Sequence, residues 1–302
     1  MPDWNQLLNE VTALGSQFDV LRRKYLARLH QATGRNVIIY YSGWLQKPQL
    51  DWTAINDEDK NGFMSTIHEM DRSKGLDLVL HTPGGDVAAT ESIIDHLRQM
   101  FGTDIRAVVP QLAMSGGTMM CLACKEILMG EQSSLGPVDP QFNGIPAHGV
   151  IEEFDTARKE IKADPASIPL WQPLIAKYHP TLIGECQKVV KWAETLTREW
   201  LSSGMFRDDP DKDTKIQKVW DELGSHALTL SHNRHISADR CHGLGLKVIM
   251  LEDNQELQDA VLSVHHATML TLDKTGAAKI IENHMGRAYI KLAQQMIVAR
   301  PG

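Results

Sequence analysis

The chain has 302 residues, 42% of them hydrophobic and 23% charged, and its 31 Lys and Arg residues against 38 Asp and Glu residues give a net charge of −7. This composition is typical of a globular protein with a buried core, and the acidic balance disfavours nucleic acid as the main partner. The apolar runs are shorter than the roughly 20 residues needed to cross a bilayer, the N-terminus lacks a signal-peptide pattern, and four cysteines are too few for a disulfide framework. We therefore expect a cytoplasmic protein without a membrane span.

The first part of the chain alternates between predicted helices and strands. An amphipathic helix is predicted over residues 5–32, where apolar side chains recur at helical spacing, and Gly34 ends it. Short β-branched or apolar segments then alternate with helical ones, which is typical of parallel strands that are buried on both faces. The predicted strands are 36–44, 76–81, 104–109 and 126–129, and the predicted helices are 57–71, 87–100 and 116–124.

The second part of the chain is predicted to be mostly helical. Residues 148–235 contain several segments with helical spacing, and a last strand is predicted at 247–251. The segment 254–299 also has helical spacing, with a break near Gly276. The predicted fold class is therefore α/β, with helical extensions at both ends. The predicted parts are an N-terminal helix (1–35), a central domain (36–252) with a helical insertion at about 150–235, and a C-terminal helical tail (253–302).

Two glycine-rich loops each follow a predicted strand and open a predicted helix. The first is HTPGGD at 81–86, and the second is AMSGGT at 113–118. Paired glycines leave backbone N–H groups uncovered, and the N–H groups at a helix start carry a partial positive charge. Two such groups aimed at one point would stabilise an oxyanion, and Ser115 would lie beside them as a nucleophile.

Simpler interpretations of these loops are a plain turn, a phosphate-binding nest or a helix cap. A phosphate-binding loop would end in Gly-Lys-Ser/Thr, and that sequence is absent. Ser115 is also not part of a Gly-x-Ser-x-Gly motif, which disfavours an α/β-hydrolase. Asp86 is predicted to cap the following helix, and Asp139 is predicted to form a turn.

The order of these motifs resembles that of a known family. The stretches LHTPGGDVAATESIIDHLR and AMSGGTMMCLACKEILMGEQSSLGPVDPQ, within residues 76–141, resemble the Clp-fold serine peptidases, in particular the serine dehydrogenase proteinase family, which is related to signal peptide peptidase A. The resemblance implies a Clp/crotonase-like β-α-β superhelix and a peptidase domain at 36–252. It also implies that Ser115 is the nucleophile and that the N–H groups of Gly85 and Gly116 form the oxyanion hole.

The resemblance leaves the general base open. Clp proteases use a histidine shortly after the strand that corresponds to the predicted strand 126–129. This chain has Ser134-Leu135-Gly136 there instead. Relatives of signal peptide peptidase A use a lysine, which acts as a base only if its pKa falls from about 10.4 through desolvation. Lys177 follows apolar residues and precedes a helix, as the resemblance implies, so it is the predicted base. Lys188 and Lys191 are the alternatives, and each of these lysines could equally be an ordinary surface charge.

No cofactor or metal is predicted. Cys121 and Cys124 form a CxxC pair inside an apolar helix without a second pair, so packing is the favoured interpretation. His232, His235, Cys241 and His242 have no matching pattern of acidic ligands.

The predicted activity is hydrolysis of peptide bonds in extended or unfolded polypeptides by a serine endopeptidase with a Ser–Lys dyad. The resemblance implies a homo-oligomer built with the N-terminal helix and the C-terminal tail. Two alternatives stay open. One is a catalytically silent scaffold of the same fold that binds peptides or proteins. The other is a crotonase-like acyl-CoA enzyme, which the Ser-Gly-Gly sequence disfavours.

Overall fold

A seven-stranded sheet forms the centre of this computed structural model, which describes residues 18–142, 145–224 and 233–293 and the isolated positions 3, 6, 7, 9 and 231. Strands in the described residues are β1 (Asn36–Ser42), β2 (Leu76–His81), β3 (Ile105–Val109), β4 (Leu112–Ala113), β5 (Glu126–Met129), β6 (Ser134–Leu135), β7 (Gln141–Phe142), β8 (Ile145–Pro146), β9 (Ile236–Ser237), β10 (Val248–Met250), β11 (Ala277–Asn283) and β12 (Ala288–Leu292). The central sheet has the order β10-β5-β3-β2-β1-β11-β12.

Five neighbouring strands of this sheet run parallel, from β10 to β1, while β11 and β12 are antiparallel to their neighbours. In β1, Ile38 lies opposite Leu78 of β2 on one side and Asn283 of β11 on the other. Two shorter sheets, β4-β6-β9 and β7-β8, lie outside the central one.

Helices cover both faces of the central sheet. They are α1 (Phe18–Thr33), α2 (Asp59–Ile67), α3 (Val87–Phe101), α4 (Gly116–Leu122), α5 (Ala147–Ala163), α6 (Ile168–Ile175), α7 (Leu182–Ser203), α8 (Lys212–Gly224), α9 (Ala238–Gly243) and α10 (Gln255–Lys274). Because side chains alternate along a strand, Leu78 and Leu80 of β2 enter one core with α2, α3 and α4, while Val79 enters the other with α1 and α10. Burial on both faces explains why β1 and β2 are apolar along most of their length.

The helices α5 and α6 and the start of α7 form an arm, residues 147–192, that is less buried than the rest of the molecule. Its small core consists of Ala147, Val150 and Cys186. The helix α6 buries none of its residues, and Leu170 is 72% exposed. None of the helices in the described residues is both long enough and apolar enough to span a membrane.

The structure confirms the α/β class and most predicted elements. The predicted strands 76–81 and 126–129 coincide with β2 and β5, and the helical insertion corresponds to α5 to α8. The predicted 5–32 helix is described continuously from Phe18, as α1; most of its earlier part lies outside the described residues.

The prediction of a helical C-terminal tail is wrong for residues 277–292. In the described residues of this tail, the first part is helical, as α10, and the chain then forms β11 and β12 of the central sheet. The segment AAKIIEN is a short apolar run that fits either helix or strand spacing, and its pairing with β1 decides the outcome. The helices α1 and α10 bury their apolar faces against each other and against the sheet of the same chain.

Candidate active site

The first glycine-rich loop connects β2 to α3 and lies at the carboxyl edge of the parallel strands. Asp86 ends the loop as the N-cap of α3, because its carboxylate accepts a hydrogen bond from the Ala89 N–H at 2.8 Å. This confirms the predicted capping role of Asp86. Ligands in open α/β sheets bind at this edge, outside the carboxyl ends of the strands.

Gly84 and Gly85 have backbone conformations that other residues rarely adopt, with φ of +92° and +156°. A Cβ on Gly84 would lie 2.6 Å from the Ser115 Cβ, and a Cβ on Gly85 would lie 2.3 Å from the Ile55 nitrogen. A Cβ on Gly84 would also lie 2.6 Å from the Met114 carbonyl oxygen, so the two loops approach each other closely at Gly84 and the first loop approaches Ile55 at Gly85. Only glycine fits at both positions.

Ile55 pairs with the first loop and orients its peptide groups. The Ile55 N–H donates to the Gly84 carbonyl at 2.7 Å, and the Ile55 carbonyl accepts the Asp86 N–H at 3.0 Å. Because the Gly84–Gly85 peptide is trans, its N–H points opposite to its C=O. The Gly85 N–H is consequently directed away from Ile55.

The second loop presents Ser115 in a strained conformation at the start of α4. Ser115 has φ +50° and ψ −114°, a combination that lies outside the allowed regions for a residue with a Cβ. Backbone strain of this kind costs about 1–3 kcal/mol and tends to occur at functional sites. A sharp turn between a strand and a helix also exposes the nucleophilic serine of α/β-hydrolases. Ser115 is half-buried.

The N–H groups of Gly85 and Gly116 lie close together and are available to a ligand. The Ser115 carbonyl accepts the Met119 N–H inside α4, so the trans Gly116 N–H points out of the helix start. A Cβ on Gly116 would lie 3.3 Å from the Gly85 nitrogen. Neither N–H has an acceptor among the residues that the structure describes. Two adjacent unpaired donors beside a serine are the arrangement of an oxyanion hole.

Buried threonine and backbone contacts hold the second loop in place. The Thr118 hydroxyl donates to the Ala113 carbonyl at 2.8 Å and accepts the Gly136 N–H at 3.0 Å. It thereby ties α4 to the chain beside β4 and β6. The two loops are also joined directly, because the Met114 N–H donates to the Thr82 carbonyl at 3.0 Å.

The structure brings Ser115, Gly85 and Gly116 together, and none of the three candidate lysines is hydrogen-bonded to Ser115. The Ser115 hydroxyl has no hydrogen-bond partner within residues 18–142, 145–224 and 233–293, and Lys177 is exposed on the arm, just after α6. Lys188 and Lys191 are also exposed and pair with Glu185 and Glu194 on their own helix.

Cys121, Cys124 and Asp139, which the sequence motifs also include, are buried within the fold. Cys121 and Cys124 are fully buried, and burial raises the pKa of Cys124 to about 12, so this thiol stays protonated. Asp139 is buried and has interactions within the fold. His232 lies outside the described residues, and the described part of the chain has no cluster of metal-ligating side chains.

Sequence reasoning did not identify Ile55 or Thr118 as parts of the site. Ile55 is a single residue between turns without a motif, and its role comes from pairing with a loop thirty residues later. Thr118 lies next to the Ser-Gly-Gly motif, so its position could have drawn attention to it.

Comparisons with known proteins identify a family to which this chain is similar. A family model described as ClpP-like SDH-type serine proteinase matches residues 15–170, which include both glycine loops. Two uncharacterised proteins of Methanocaldococcus jannaschii are also similar. MJ0137 is 37% identical over 38% of this chain, and MJ1495 is 28% identical over 64% of it. The matched stretches span 40% and 59% of the length of these relatives.

Proposed function

Because the chain belongs to the family of ClpP-like SDH-type serine proteinases, we propose that it hydrolyses peptide bonds with Ser115 as the nucleophile. The observation that carries this proposal is the strained Ser115 next to the two unpaired N–H groups of Gly85 and Gly116. The proposed fold in detail is the Clp/crotonase-like β-α-β superhelix, and the parallel β-α-β order of the central sheet supports it.

The proposed reaction has two stages. The Ser115 oxygen attacks the scissile carbonyl carbon, its proton passes to the general base, and the carbonyl oxygen becomes an oxyanion bound by Gly85 and Gly116. The carbon–nitrogen bond then breaks, and the base returns the proton to the leaving amine. In the second stage the base takes a proton from water, whose oxygen attacks the acyl carbon of the ester. The bond between the Ser115 oxygen and the acyl carbon then breaks, the base gives its proton to the Ser115 oxygen, and the new carboxylic acid end of the substrate leaves.

We propose a lysine as the base, with Lys177 first and Lys188 and Lys191 as alternatives. A lysine serves at neutral pH only when its surroundings are desolvated. Lys177 is exposed among half-buried and exposed apolar side chains of the arm, including Leu174 and Tyr178. Under this proposal, a bound polypeptide or a second copy of the chain must cover that part of the arm before Lys177 can act.

Extended or unfolded polypeptides are the proposed substrates. Ile55 occupies one edge of the segment 84–86, and the Gly85 N–H points to the opposite edge. A substrate that pairs with this free edge as an added strand would bring its carbonyl group to Gly85 and Ser115. We also propose that the protein works in the cytoplasm, as a homo-oligomer and without a cofactor.

A catalytically silent peptide-binding scaffold is the second candidate function. The observation that favours it is the absence of any hydrogen-bond partner for the Ser115 hydroxyl among the described residues. A scaffold of this kind would keep the free edge and the two N–H groups but would not react with electrophiles that trap activated serines.

Intact-mass spectrometry with a fluorophosphonate probe tests the proposal. We expect one adduct on the wild-type protein, no adduct on Ser115→Ala, and an adduct of unchanged yield on Ser134→Ala, a half-buried serine of β6. If the wild-type protein folds but forms no adduct, the silent scaffold is the better proposal.

The same assay tests the base. Lys177→Ala should lose the adduct, while Lys162→Ala, an exposed lysine of the same arm, should retain it. Loss with Lys188→Ala or Lys191→Ala instead would move the base to that residue.

A further inference from the structure

A completely buried charged pair involves β11, which is separated by β1 from β2, the strand that leads into the first glycine loop. Lys279 of β11 and Asp59 of α2 have no exposed surface. The Lys279 ammonium donates to both oxygens of the Asp59 carboxylate, at 2.8 and 2.9 Å, and to the Ala54 carbonyl at 2.8 Å. All three ammonium hydrogens therefore have acceptors, so Lys279 is not a free base for Ser115.

The Asp59 carboxylate is fixed by further hydrogen bonds. It accepts the Tyr40 hydroxyl at 2.8 Å and the Asn56 N–H at 3.0 Å. Tyr40 is fully buried in β1, and Thr82 of the first glycine loop lies beside its hydroxyl. The pair is thus built into the packing between the sheet and α2.

Both peptide groups that flank Ile55 are held by this charged pair. Lys279 binds the carbonyl of the Ala54–Ile55 peptide, and Asp59 binds the N–H of the Ile55–Asn56 peptide. Since both peptides are trans, their opposite ends, the Ile55 N–H and the Ile55 carbonyl, point away from the charged pair. These are the two groups that bond to Gly84 and Asp86 of the first loop.

We infer that Lys279 and Asp59 are positioning residues for the oxyanion hole: their ion pair orients the two peptides of Ile55, which in turn orient the Gly84–Gly85 peptide and its N–H. This inference rests on the proposed function of the Gly85 N–H. The same geometry has a consequence that does not depend on catalysis, because the pair also holds the backbone of residues 84–86 in place.

The chain offers a matched control on the same strand. Arg22 of α1 and Glu282 of β11 form another completely buried ion pair, which lies in the core on the opposite face of the sheet. Loss of either pair removes buried charges from β11, but only loss of the Lys279 pair removes the contacts to Ala54 and Asn56.

The test compares two double variants, Lys279→Met with Asp59→Leu, and Arg22→Met with Glu282→Leu. Replacing both partners by apolar side chains avoids an unpaired buried charge, which would unfold the chain more readily. Two readouts are measured on the folded fraction: the second-order rate of fluorophosphonate labelling of Ser115, and hydrogen–deuterium exchange of the peptides that contain residues 53–58 and 82–90.

We expect the Lys279 and Asp59 double variant to label at least about tenfold more slowly, because the oxyanion donor is misplaced. Its exchange should be faster in both peptides, and the Arg22 and Glu282 variant should show neither change. The single variant Lys279→Arg, which keeps the charge, should restore part of the labelling rate. For a peptide substrate, kcat should fall more than KM rises.

The experiment distinguishes failure of the peptidase proposal from failure of the positioning role of Lys279 and Asp59. If wild-type protein is not labelled, the proposed function fails, and hydrogen exchange alone decides the positioning role. If wild-type protein is labelled but both double variants behave alike in labelling and in exchange at 82–90, the positioning role is wrong and the peptidase proposal stands.

Discussion

At the scale of single residues, the candidate site depends on backbone conformations at Gly85 and Ser115 that ordinary side chains avoid. Gly85 is enclosed by the backbone of Ile55, and Ser115 is held at positive φ by the turn into α4. The serine and the two donors are therefore positioned by the fold before any substrate arrives. Preorganised donors of this kind do not have to reorganise during the reaction.

Substitution of Gly85 should remove activity through geometry alone. Gly85→Ala would place a methyl group within 2.3–2.8 Å of Ile55 backbone atoms. We expect the labelling rate to fall at least about 100-fold, with a loss of stability of about 1–3 kcal/mol. Gly102→Ala is the control, since Gly102 also has positive φ but has open space around it. Equal labelling of both variants would argue against a role for the Gly85 N–H.

His81 should make stability depend on pH. Its ring is fully buried next to Trp44 and Tyr41, both ring nitrogens lack a partner among the described residues, and burial lowers its pKa to about 3. The unfolded chain binds a proton at His81 below about pH 6.5 and the folded chain does not, so stability is complete above that pH and is lost as pH falls toward 3.

The size of this effect follows from the width of the pH interval. Between pH 6.5 and pH 5 the loss should be about 2 kcal/mol for this one group. Urea unfolding at pH 5 and pH 7 measures it, and His81→Phe should reduce the difference between the two free energies. His68→Phe, at an exposed position, is the control. An unchanged difference in His81→Phe would contradict the prediction.

At the scale of elements, α4 is held by side-chain contacts to the short strands around it as well as by the apolar core. Thr118 in the first turns of α4 connects the chain at Ala113 to the chain at Gly136. The position of the helix start, and with it the Gly116 N–H, depends on this connection.

Removal of the Thr118 hydroxyl should affect stability and reactivity together. Thr118→Val keeps the shape but removes the hydroxyl that links Ala113 to Gly136, and the Gly136 N–H keeps only its longer bond to the Ala113 carbonyl at 3.2 Å. We therefore expect a loss of about 0.5–1.5 kcal/mol and slower labelling of Ser115. Thr268→Val is the control, because Thr268 is equally buried but its hydroxyl bonds only within α10. Chemical denaturation and labelling of both variants check this. If Thr118→Val is labelled at the wild-type rate, the Thr118 hydroxyl does not position the start of α4 for the reaction.

The elements also explain how far the sequence could predict the site. The strands β2 and β5 are apolar runs bounded by glycine or charged residues, and the loops after β2 and β4 carry local motifs, so their positions follow from the sequence. Local patterns do not contain the pairing of Ile55 with Gly85 or of β11 with β1, because these contacts join distant segments. The base is a similar case, because a lysine is deprotonated near neutral pH only when its neighbours lower its pKa, and the sequence does not place those neighbours.

At the scale of the whole molecule, the C-terminal segment belongs to the same folding unit as the site. The strand β11 lies between β1 and β12 in the central sheet. Its residue Ile281 packs into the core that also contains residues of α2 and α3. A separate tail would unfold without affecting the rest of the chain. The strand β11 cannot unfold in this way, because it is hydrogen-bonded to both β1 and β12.

Truncation of one side chain in β11 should therefore lower global stability. Ile281→Ala removes a fully buried side chain, and we expect a loss of about 2–5 kcal/mol in the free energy of unfolding. Ile249→Ala on the edge strand β10, which is partly exposed, should cost about 1 kcal/mol or less. Tryptophan fluorescence during urea unfolding measures both. If Ile281→Ala leaves the main transition unchanged, β11 is not part of that unit.

The pairing of β1 with β11 has a consequence for the order of events during synthesis. Chains are made from the N-terminus, and domains generally fold as units as they emerge. Ser115 and both glycine loops are synthesised well before β11, the strand that carries Lys279. A chain that has been synthesised only as far as α4 thus carries the proposed nucleophile without the strand that we infer to support its site. Under the proposed function, the oxyanion hole is completed only after β11 has paired with β1, so cleavage of polypeptides has to wait for the whole sheet to form.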